Sequence, residues 1–160
     1  KGLLLFVFAF LFLASAKQVN NFGDIWTSCG TANDHLTITS VVINPDPPTK
    51  GTPFTVQATG SLNEEITNSS STEITVAIKY GVIPLFSTTQ NLCDVLAQAN
   101  AKDPQLPTCP VAAGTITVST PPITIPSEAP DGSYSGNAVI TDQNNQQVVC
   151  VDVDLSLSLE

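Results

Sequence analysis

The chain has 160 residues, a formal net charge of −9 at pH 7, and five lysines but no arginine. A protein that binds nucleic acid needs a basic footprint, usually with arginine, so this composition argues against that class and predicts no nucleic-acid partner. Because the net charge is negative, electrostatic attraction of the protein to anionic membranes is also expected to be weak at neutral pH.

The first sixteen residues have the pattern of a secretory signal peptide. Lys1 gives a positive start, Leu3 to Leu13 form an apolar block, and Ala14-Ser15-Ala16 is a small-residue cleavage site. The block is short for a bilayer span, so a membrane anchor is the weaker interpretation. Cleavage after Ala16 removes the charge of Lys1 and leaves one domain, residues 17–160, with a net charge of −10.

The four cysteines behind this signal favour two disulfides formed in an oxidising compartment. Three pairings are possible. We predict Cys93–Cys109, which would close the loop after a short helix, and Cys29–Cys150, which would tie the first strand region to the last. No metal site or cofactor is predicted, because the chain has no CxxC or HxxxH pair.

Seven or eight short stretches alternate apolar and polar residues, with turns between them, as β-strands do. A phase slip at Ser40-Val41 predicts a bulge, and Pro121-Pro122 separates two short strands. The polar connection 62–72 carries a sequon at Asn68, which predicts a glycosylation site on a surface loop. The pattern predicts an all-β, immunoglobulin-like antiparallel sandwich of two sheets with one short helix.

The segment 72–110 organises the rest of the chain. A strand leads into an apolar run, 82–86, whose Pro84 cannot donate a ladder hydrogen bond and therefore suits a sheet edge or rim. In the next segment, 91–101, Leu92, Val95, Leu96 and Ala99 recur at helical spacing. A strand, an apolar lip and a helix held by a disulfide indicate the mouth of a cavity rather than a catalytic loop.

Residues that could carry catalysis are sparse, so we predict that the protein is not an enzyme. His35 is the only histidine, and no GxSxG motif is present, so His35 is expected to be an ordinary surface residue. Glu64 and Glu65 are adjacent on an extended chain and would point in opposite directions. Asp152 and Asp154 fit the outward face of a regular strand without a site to explain them.

Thirteen apolar and aromatic residues could face one interior. Periodicity alone favours a simple packed core, although a sandwich that encloses a lipid cavity has the same alternation. The thirteen are Phe54, Val56, Ile74, Val76, Ile78, Tyr80, Val82, Phe86, Tyr134, Ile140, Val151, Val153 and Leu155.

An ordered set of motifs resembles the ML-domain lipid-recognition family. The motifs are PDPPTKG at 45–51, KYGVIPLF at 79–86, NLCDVL at 91–96, CP at 109–110 and IPSEAPDGSY at 125–134. Members of this family also have a first cysteine after a short leader and a last cysteine in the final strand. Cys29 and Cys150 stand at the corresponding places in this chain. Within the family the chain looks closest to the phosphatidylglycerol/phosphatidylinositol transfer proteins. The Niemann–Pick type sterol carrier, which usually has extra cysteines around the proline-rich turn, is more distant.

The resemblance implies a lipid cavity between two splayed sheets, lined by all of the thirteen residues except Ile140 and Leu155. Phe86, Val151 and Val153 match positions that line the sterol carrier's pocket. Ala129 and Ala138 stand where that carrier has bulky aromatic residues, which puts sterol specificity in doubt.

The function that the resemblance implies is a secreted or endolysosomal carrier that transfers one phospholipid between membranes. Sterol transport, or lipid sensing without transfer, is the alternative. The implied partners are a phospholipid or sterol ligand and a transient membrane contact, and the protein is expected to act as a monomer.

Overall fold

A computed structural model describes residues 25–158. The predicted signal peptide, residues 1–16, and the start of the predicted domain lie outside the described residues. The elements in chain order are β1 (Trp26–Ser28), β2 (Leu36–Asn44), β3 (Pro53–Leu62), β4 (Glu73–Tyr80), β5 (Ile83–Asn91), α1 (Leu92–Asn100), β6 (Gly114–Ser119), β7 (Ile123–Thr124), β8 (Gly132–Thr141) and β9 (Gln147–Leu157).

The strands form two antiparallel sheets, and this confirms the predicted fold class. The five-stranded sheet has the order β1-β9-β8-β4-β5. The four-stranded sheet has the order β2-β3-β6, with β7 paired to the first residues of β3. Pro121-Pro122 separates β6 from β7, as predicted, because proline cannot donate to the ladder.

The inner faces of the two sheets form one hydrophobic core. On β4, Ile74, Val76 and Ile78 are buried, while Thr75, Ala77 and Lys79 are half-buried or exposed. On β9, Val151 and Val153 are buried in the same way. The period of two along each strand therefore places the apolar side chains between the sheets.

β5 forms one edge of the five-stranded sheet, where the sequence predicted the Pro84-containing run to lie. Its residues are mostly exposed, and the register with β4 shifts between Ile78 and Lys79, opposite Pro84. An edge tolerates proline because the outward-facing N–H positions of an edge strand need no partner.

The bulge in β2 lies one residue before the predicted position. The register with β3 shifts between Ile38 and Ser40, so Thr39 is the extra residue. Gly60 on β3 sits opposite, and a Cβ at this position would lie 2.9 Å from the Thr37 carbonyl oxygen. Glycine is therefore required where the two backbones approach closely.

α1 begins at the residue that follows Asn91, whose side chain accepts a hydrogen bond from the Asp94 amide at 3.1 Å. Leu92, Val95 and Leu96 form its buried face. The structure contains the disulfides Cys29–Cys150 and Cys93–Cys109. Within residues 25–158, no helix has the length and apolar character needed to cross a membrane.

Candidate functional site

An apolar cavity of about 80 Å³ lies between the sheets at the end of the sandwich where α1 packs, which we call the helix end. Residues from both sheets, from α1 and from the loops around it form the wall. The strands contribute Leu36, Ile38, Ala58, Thr59, Gly60, Leu62, Ile116, Val118, Ile140 and Val148. The helix and loops contribute Ile66, Leu92, Leu96, Pro107 and Val111.

The composition of this wall decides what the cavity can hold. Thr59 is its only residue with a polar side chain, so a ligand inside would find almost no hydrogen-bond partner. The cavity is smaller than an engineered apolar cavity of about 150 Å³ that binds benzene, and much smaller than typical ligand pockets of roughly 300–1,000 Å³. It therefore suits hydrocarbon, and a larger apolar ligand would require the two sheets to move apart.

Two short side chains on β3 explain why a space remains here. Ala58 and Gly60 lie between the larger Val56 and Leu62 on the inner face of that strand. The side chains opposite, Leu92 and Leu96 of α1, are held by the helix and do not fill the volume.

None of the eleven residues predicted to bind lipid lines this cavity. Seven are buried in the hydrophobic core but are not part of the cavity wall: Phe54, Val56, Ile74, Val76, Ile78, Val151 and Val153. Three, Tyr80, Phe86 and Tyr134, are half-buried. Their role in lipid binding stays a prediction.

Val82 does not face the interior, contrary to the sequence interpretation. It is 94% exposed in the turn between β4 and β5, because the chain reverses at Gly81 with a φ of 54°. Ile83 and Leu85 beside it are each 56% exposed. These three residues form a small apolar surface, which we call the β4–β5 tip.

The end opposite the cavity, which we call the tyrosine end, is built from Tyr80 and Tyr134. Their ring centroids lie 5.1 Å apart. The Tyr80 hydroxyl donates to the Asp131 carbonyl oxygen at 2.6 Å, and the Tyr134 hydroxyl donates to the Pro130 carbonyl oxygen at 3.0 Å. Burial, with Tyr80 and Asp131 nearby, raises the pKa of Tyr134, so this hydroxyl remains a donor.

Three of the sequence motifs meet at the tyrosine end. Lys50 of the PDPPTKG motif pairs with Asp131 of the IPSEAPDGSY motif, and Asp131 accepts from Tyr80 of the KYG motif. Gly132 has a φ of 142°, and a Cβ there would lie 2.8 Å from the Tyr80 ring. Motifs that are far apart in the chain therefore form one packed corner of the sandwich.

The cavity wall includes residues that sequence reasoning did not assign to the site. Leu92 and Leu96 are not among the residues predicted to bind lipid, although the sequence predicts that their helix lies at the mouth of a cavity, and their spacing of four places both on one face. Nothing in the sequence around Ala58 and Gly60 indicates that they line a cavity. Ala129 is half-buried and Ala138 is buried, and neither lines the cavity.

His35 is buried, so the expectation of an ordinary surface histidine was wrong. It is 8% exposed at the helix end, immediately before β2. Burial alone would lower the pKa of His35, but hydrogen bonds to Asn63 and Gln146 and the carboxylates of Glu64 and Asp142 raise it overall.

Comparison with known proteins identifies the family. The sequence profile of the ML domain matches residues 23–157 of the chain. The chain belongs to the ML domain family.

A Dictyostelium discoideum protein provisionally named a phosphatidylglycerol/phosphatidylinositol transfer protein is 41% identical over 147 residues, which is 92% of this chain and 96% of that protein. The phosphatidylglycerol/phosphatidylinositol transfer protein of Mycosarcoma maydis is 31% identical, over 81% of this chain and 64% of that protein.

Two solved structures share the fold of this ML domain. A Niemann-Pick type C2 protein from the Japanese carpenter ant superposes with a TM-score of 0.53 at 14% identity, over 82% of this chain and 97% of that chain. Chicken MD-1, solved in complex with lipid IVa, has a TM-score of 0.51 at 19% identity, over 84% of this chain and 88% of that chain. At these identities the similarity shows the fold alone.

Proposed function

We propose that this ML domain is a lipid carrier that holds one phospholipid between its sheets and transfers it between membranes. The observation that carries the proposal is the almost wholly apolar cavity between the sheets. The names of the Dictyostelium and Mycosarcoma relatives support phosphatidylglycerol or phosphatidylinositol as the cargo.

Lipid uptake in this proposal requires the sheets to separate, because the cavity is too small for an acyl chain. Both disulfides of the described chain permit this. Cys29 follows β1 and Cys150 lies in β9, so that bridge stays within the five-stranded sheet. The other bridge joins α1 to the loop before β6. The buried residues between the tyrosine end and the cavity, such as Val76 and Val151, would then line the opened space.

The energetics suit a carrier. Each buried lipid CH₂ contributes about 0.8 kcal/mol, so a chain of about sixteen carbons contributes roughly 13 kcal/mol. The donor bilayer offers nearly the same, so exchange between membrane and protein is close to balanced. A carrier needs this balance because a much tighter site would not release its cargo.

The β4–β5 tip is the surface that would contact the membrane in this proposal. Val82 in the turn and Ile83 and Leu85 at the start of the edge strand β5 are exposed, and their apolar side chains can enter the acyl region. The contact is expected to be transient, since three side chains contribute little burial.

The protein would act as a monomer in the secretory pathway, outside the cell or in the endolysosomal lumen, without any catalytic step.

The test is a vesicle-to-vesicle transfer assay with fluorescent phosphatidylglycerol and phosphatidylinositol. The wild-type protein should accelerate transfer, and native mass spectrometry should find one phospholipid per chain. Binding without faster exchange would favour a lipid-sensing module, and a bound sterol would favour sterol transport; either result would refute the proposal.

The same assay tests the docking surface with a matched pair of variants. Val82→Ser should slow transfer roughly tenfold, since burying valine in the membrane contributes about 1.5 kcal/mol or more. Val42→Ser is the control, because Val42 is 52% exposed on β2, a strand of the other sheet. Equal rates for the two variants would show that the tip does not dock.

A further inference from the structure

A polar cluster at the helix end brings together His35, Glu64 and Asp142 from three segments of the chain. His35 lies directly before β2, and Glu64 follows the end of β3, so both are in loops next to strands of the four-stranded sheet. Asp142 follows β8 of the five-stranded sheet. The cluster therefore joins the two sheets, immediately beside Leu36 and Leu62 of the cavity wall.

The two distances from the His35 nitrogen to the carboxylates match those of a tetrahedral metal site. His35 Nε2 lies 3.4 Å from Asp142 Oδ2 and 3.6 Å from Glu64 Oε2, and all three atoms lie within 4.8 Å of one another. Zinc binds nitrogen and carboxylate oxygen at about 2.0–2.2 Å, so two ligands of a tetrahedral ion are roughly 3.3–3.6 Å apart. Both distances from Nε2 lie in that range.

A buried oxygen without a hydrogen-bond partner points into the same place. Asp142 is 1% exposed, and its Oδ1 accepts from the amides of Asn144 at 2.8 Å and Gln146 at 2.9 Å. Its Oδ2 has no hydrogen-bond partner. Burying a carboxylate oxygen is costly unless it is hydrogen-bonded, paired with a charge or bound to a metal.

A hydrogen bond at one ring nitrogen of His35 leaves the other nitrogen facing the carboxylates, which is the usual arrangement of a metal-binding histidine. Nδ1 lies 2.8 Å from Asn63 Oδ1, which accepts from Nδ1–H in the tautomer that leaves the lone pair on Nε2, facing the carboxylates. Such an outer hydrogen bond fixes the tautomer and the ring direction of a metal ligand. Gln146 Oε1 lies 2.9 Å from Nε2 and accepts from Nε2–H when the ring is protonated. When an ion displaces that proton, the same oxygen could complete the coordination after a shift of roughly 0.4 Å.

We propose that His35 Nε2, Glu64 Oε2 and Asp142 Oδ2 bind one zinc-type divalent cation. One imidazole with two carboxylates suits zinc, whereas calcium and magnesium prefer all-oxygen sites with more ligands. The Glu64 side chain is 53% exposed, which leaves a path for the ion. The ion would hold the sheets together at the helix end while they separate at the tyrosine end. The site stands on this geometry whether or not the chain carries lipid.

Isothermal titration of Zn²⁺ into the chelator-treated, disulfide-bonded protein tests the proposal, with a purification tag that contains no histidine. At a pH of about 7.5, where protons compete less for the ligands, one Zn²⁺ should bind per chain. Asp142→Asn and Glu64→Gln should each weaken binding by at least the roughly 10–100-fold that losing an outer-shell partner costs. The amide introduced by Asp142→Asn would keep the Oδ1 acceptor, and the exposed position of Glu64 protects the fold of the second variant.

Glu65→Gln is the matched control, because Glu65 is an exposed neighbour of the same charge outside the cluster. Its affinity for Zn²⁺ should equal that of the wild type. His35 is the only histidine of the chain, so the ¹⁵N signal of its Nε2 reports ligation without ambiguity. That signal should move on Zn²⁺ addition. Absence of binding, or equal binding by all four proteins, would overturn the proposal and leave His35 beside Asp142 with no ion between them.

Discussion

The small side chain of Ala58 is a main reason that the cavity is not filled by the core. It is 6% exposed and lies on the cavity wall, where a longer side chain would occupy the space. Ala138 on β8 is equally small and 3% exposed, but it packs away from that wall. Both alanines are buried on strands, but only Ala58 faces an empty space.

This difference leads to a prediction for a pair of leucine variants. Ala58→Leu should cost less than about 1 kcal/mol of unfolding free energy, because the cavity accepts the added carbons, while lipid occupancy falls. Ala138→Leu should cost about 1–3 kcal/mol, because it overpacks a filled site. Urea denaturation measures the stability of both variants, and native mass spectrometry measures bound lipid. Equal losses of stability would show that the cavity cannot accept volume.

At the residue scale, the sequence predicted burial better than it predicted the site. Alternation placed Val76, Val151 and Val153 inside, since period two along a strand determines which face a side chain occupies. It also placed Val82 inside, because an apolar residue in a turn looks like one more strand residue. His35 and Asp142 are 107 positions apart in the chain, and nothing local indicates that they meet.

At the scale of elements, α1 and its disulfide close the helix end of the sandwich. The Cys93–Cys109 bridge spans 16 positions and ties the helix to the loop that carries Pro107 and Val111 of the cavity wall. The Cys29–Cys150 bridge spans 121 positions and lies within the five-stranded sheet. The two bridges should therefore contribute differently to stability and to lipid retention.

Removal of each bridge tests this division. In the chain-entropy picture, Cys29→Ser/Cys150→Ser should lose more stability, about 5 kcal/mol, than Cys93→Ser/Cys109→Ser, about 3 kcal/mol. Lipid should nevertheless leak faster from the second variant, because α1 is freed from the cavity wall. Melting temperatures and the dissociation rate of a fluorescent lipid measure the two effects. Faster leakage from the Cys29/Cys150 variant would contradict the assignment of α1 as the closing element.

At the scale of the whole molecule, charge is expected to govern approach to the membrane. The chain has a net charge of −9 at pH 7, and without its first sixteen residues that charge is −10. A protein of this charge is expected to be repelled by anionic vesicles at neutral pH, although the proposed docking through the β4–β5 tip would favour insertion. The repulsion should weaken as pH falls, since carboxylates titrate near a pKa of about 4 and protonation removes negative charge.

Transfer from anionic donor vesicles should therefore accelerate as pH falls from about 7 toward 5, where the first carboxylates begin to protonate. Added salt at neutral pH should produce a similar gain through screening. Zwitterionic donors are the control and should respond much less. A rate on anionic donors that is flat with both pH and salt would show that the apolar tip alone governs docking.

The sequence by itself determined the class of fold and the position of most elements. Strand alternation, the prolines at 121–122 and the helical spacing after Asn91 are local signals, and the elements that they predicted are present in the structure. β1 (Trp26–Ser28) carried no such signal. The edge position of the Pro84 run was also predictable, because proline excludes the middle of a sheet.

Only the tertiary structure decided where the interior stays open and which polar groups meet. The cavity depends on the distance between two sheets, and on how far Ala58 and Gly60 lie from the leucines of α1. The cluster of His35, Glu64 and Asp142 depends on three loops that converge only after both sheets have formed. Distances of this kind arise from packing between segments far apart in the chain, and no local pattern of residues encodes them.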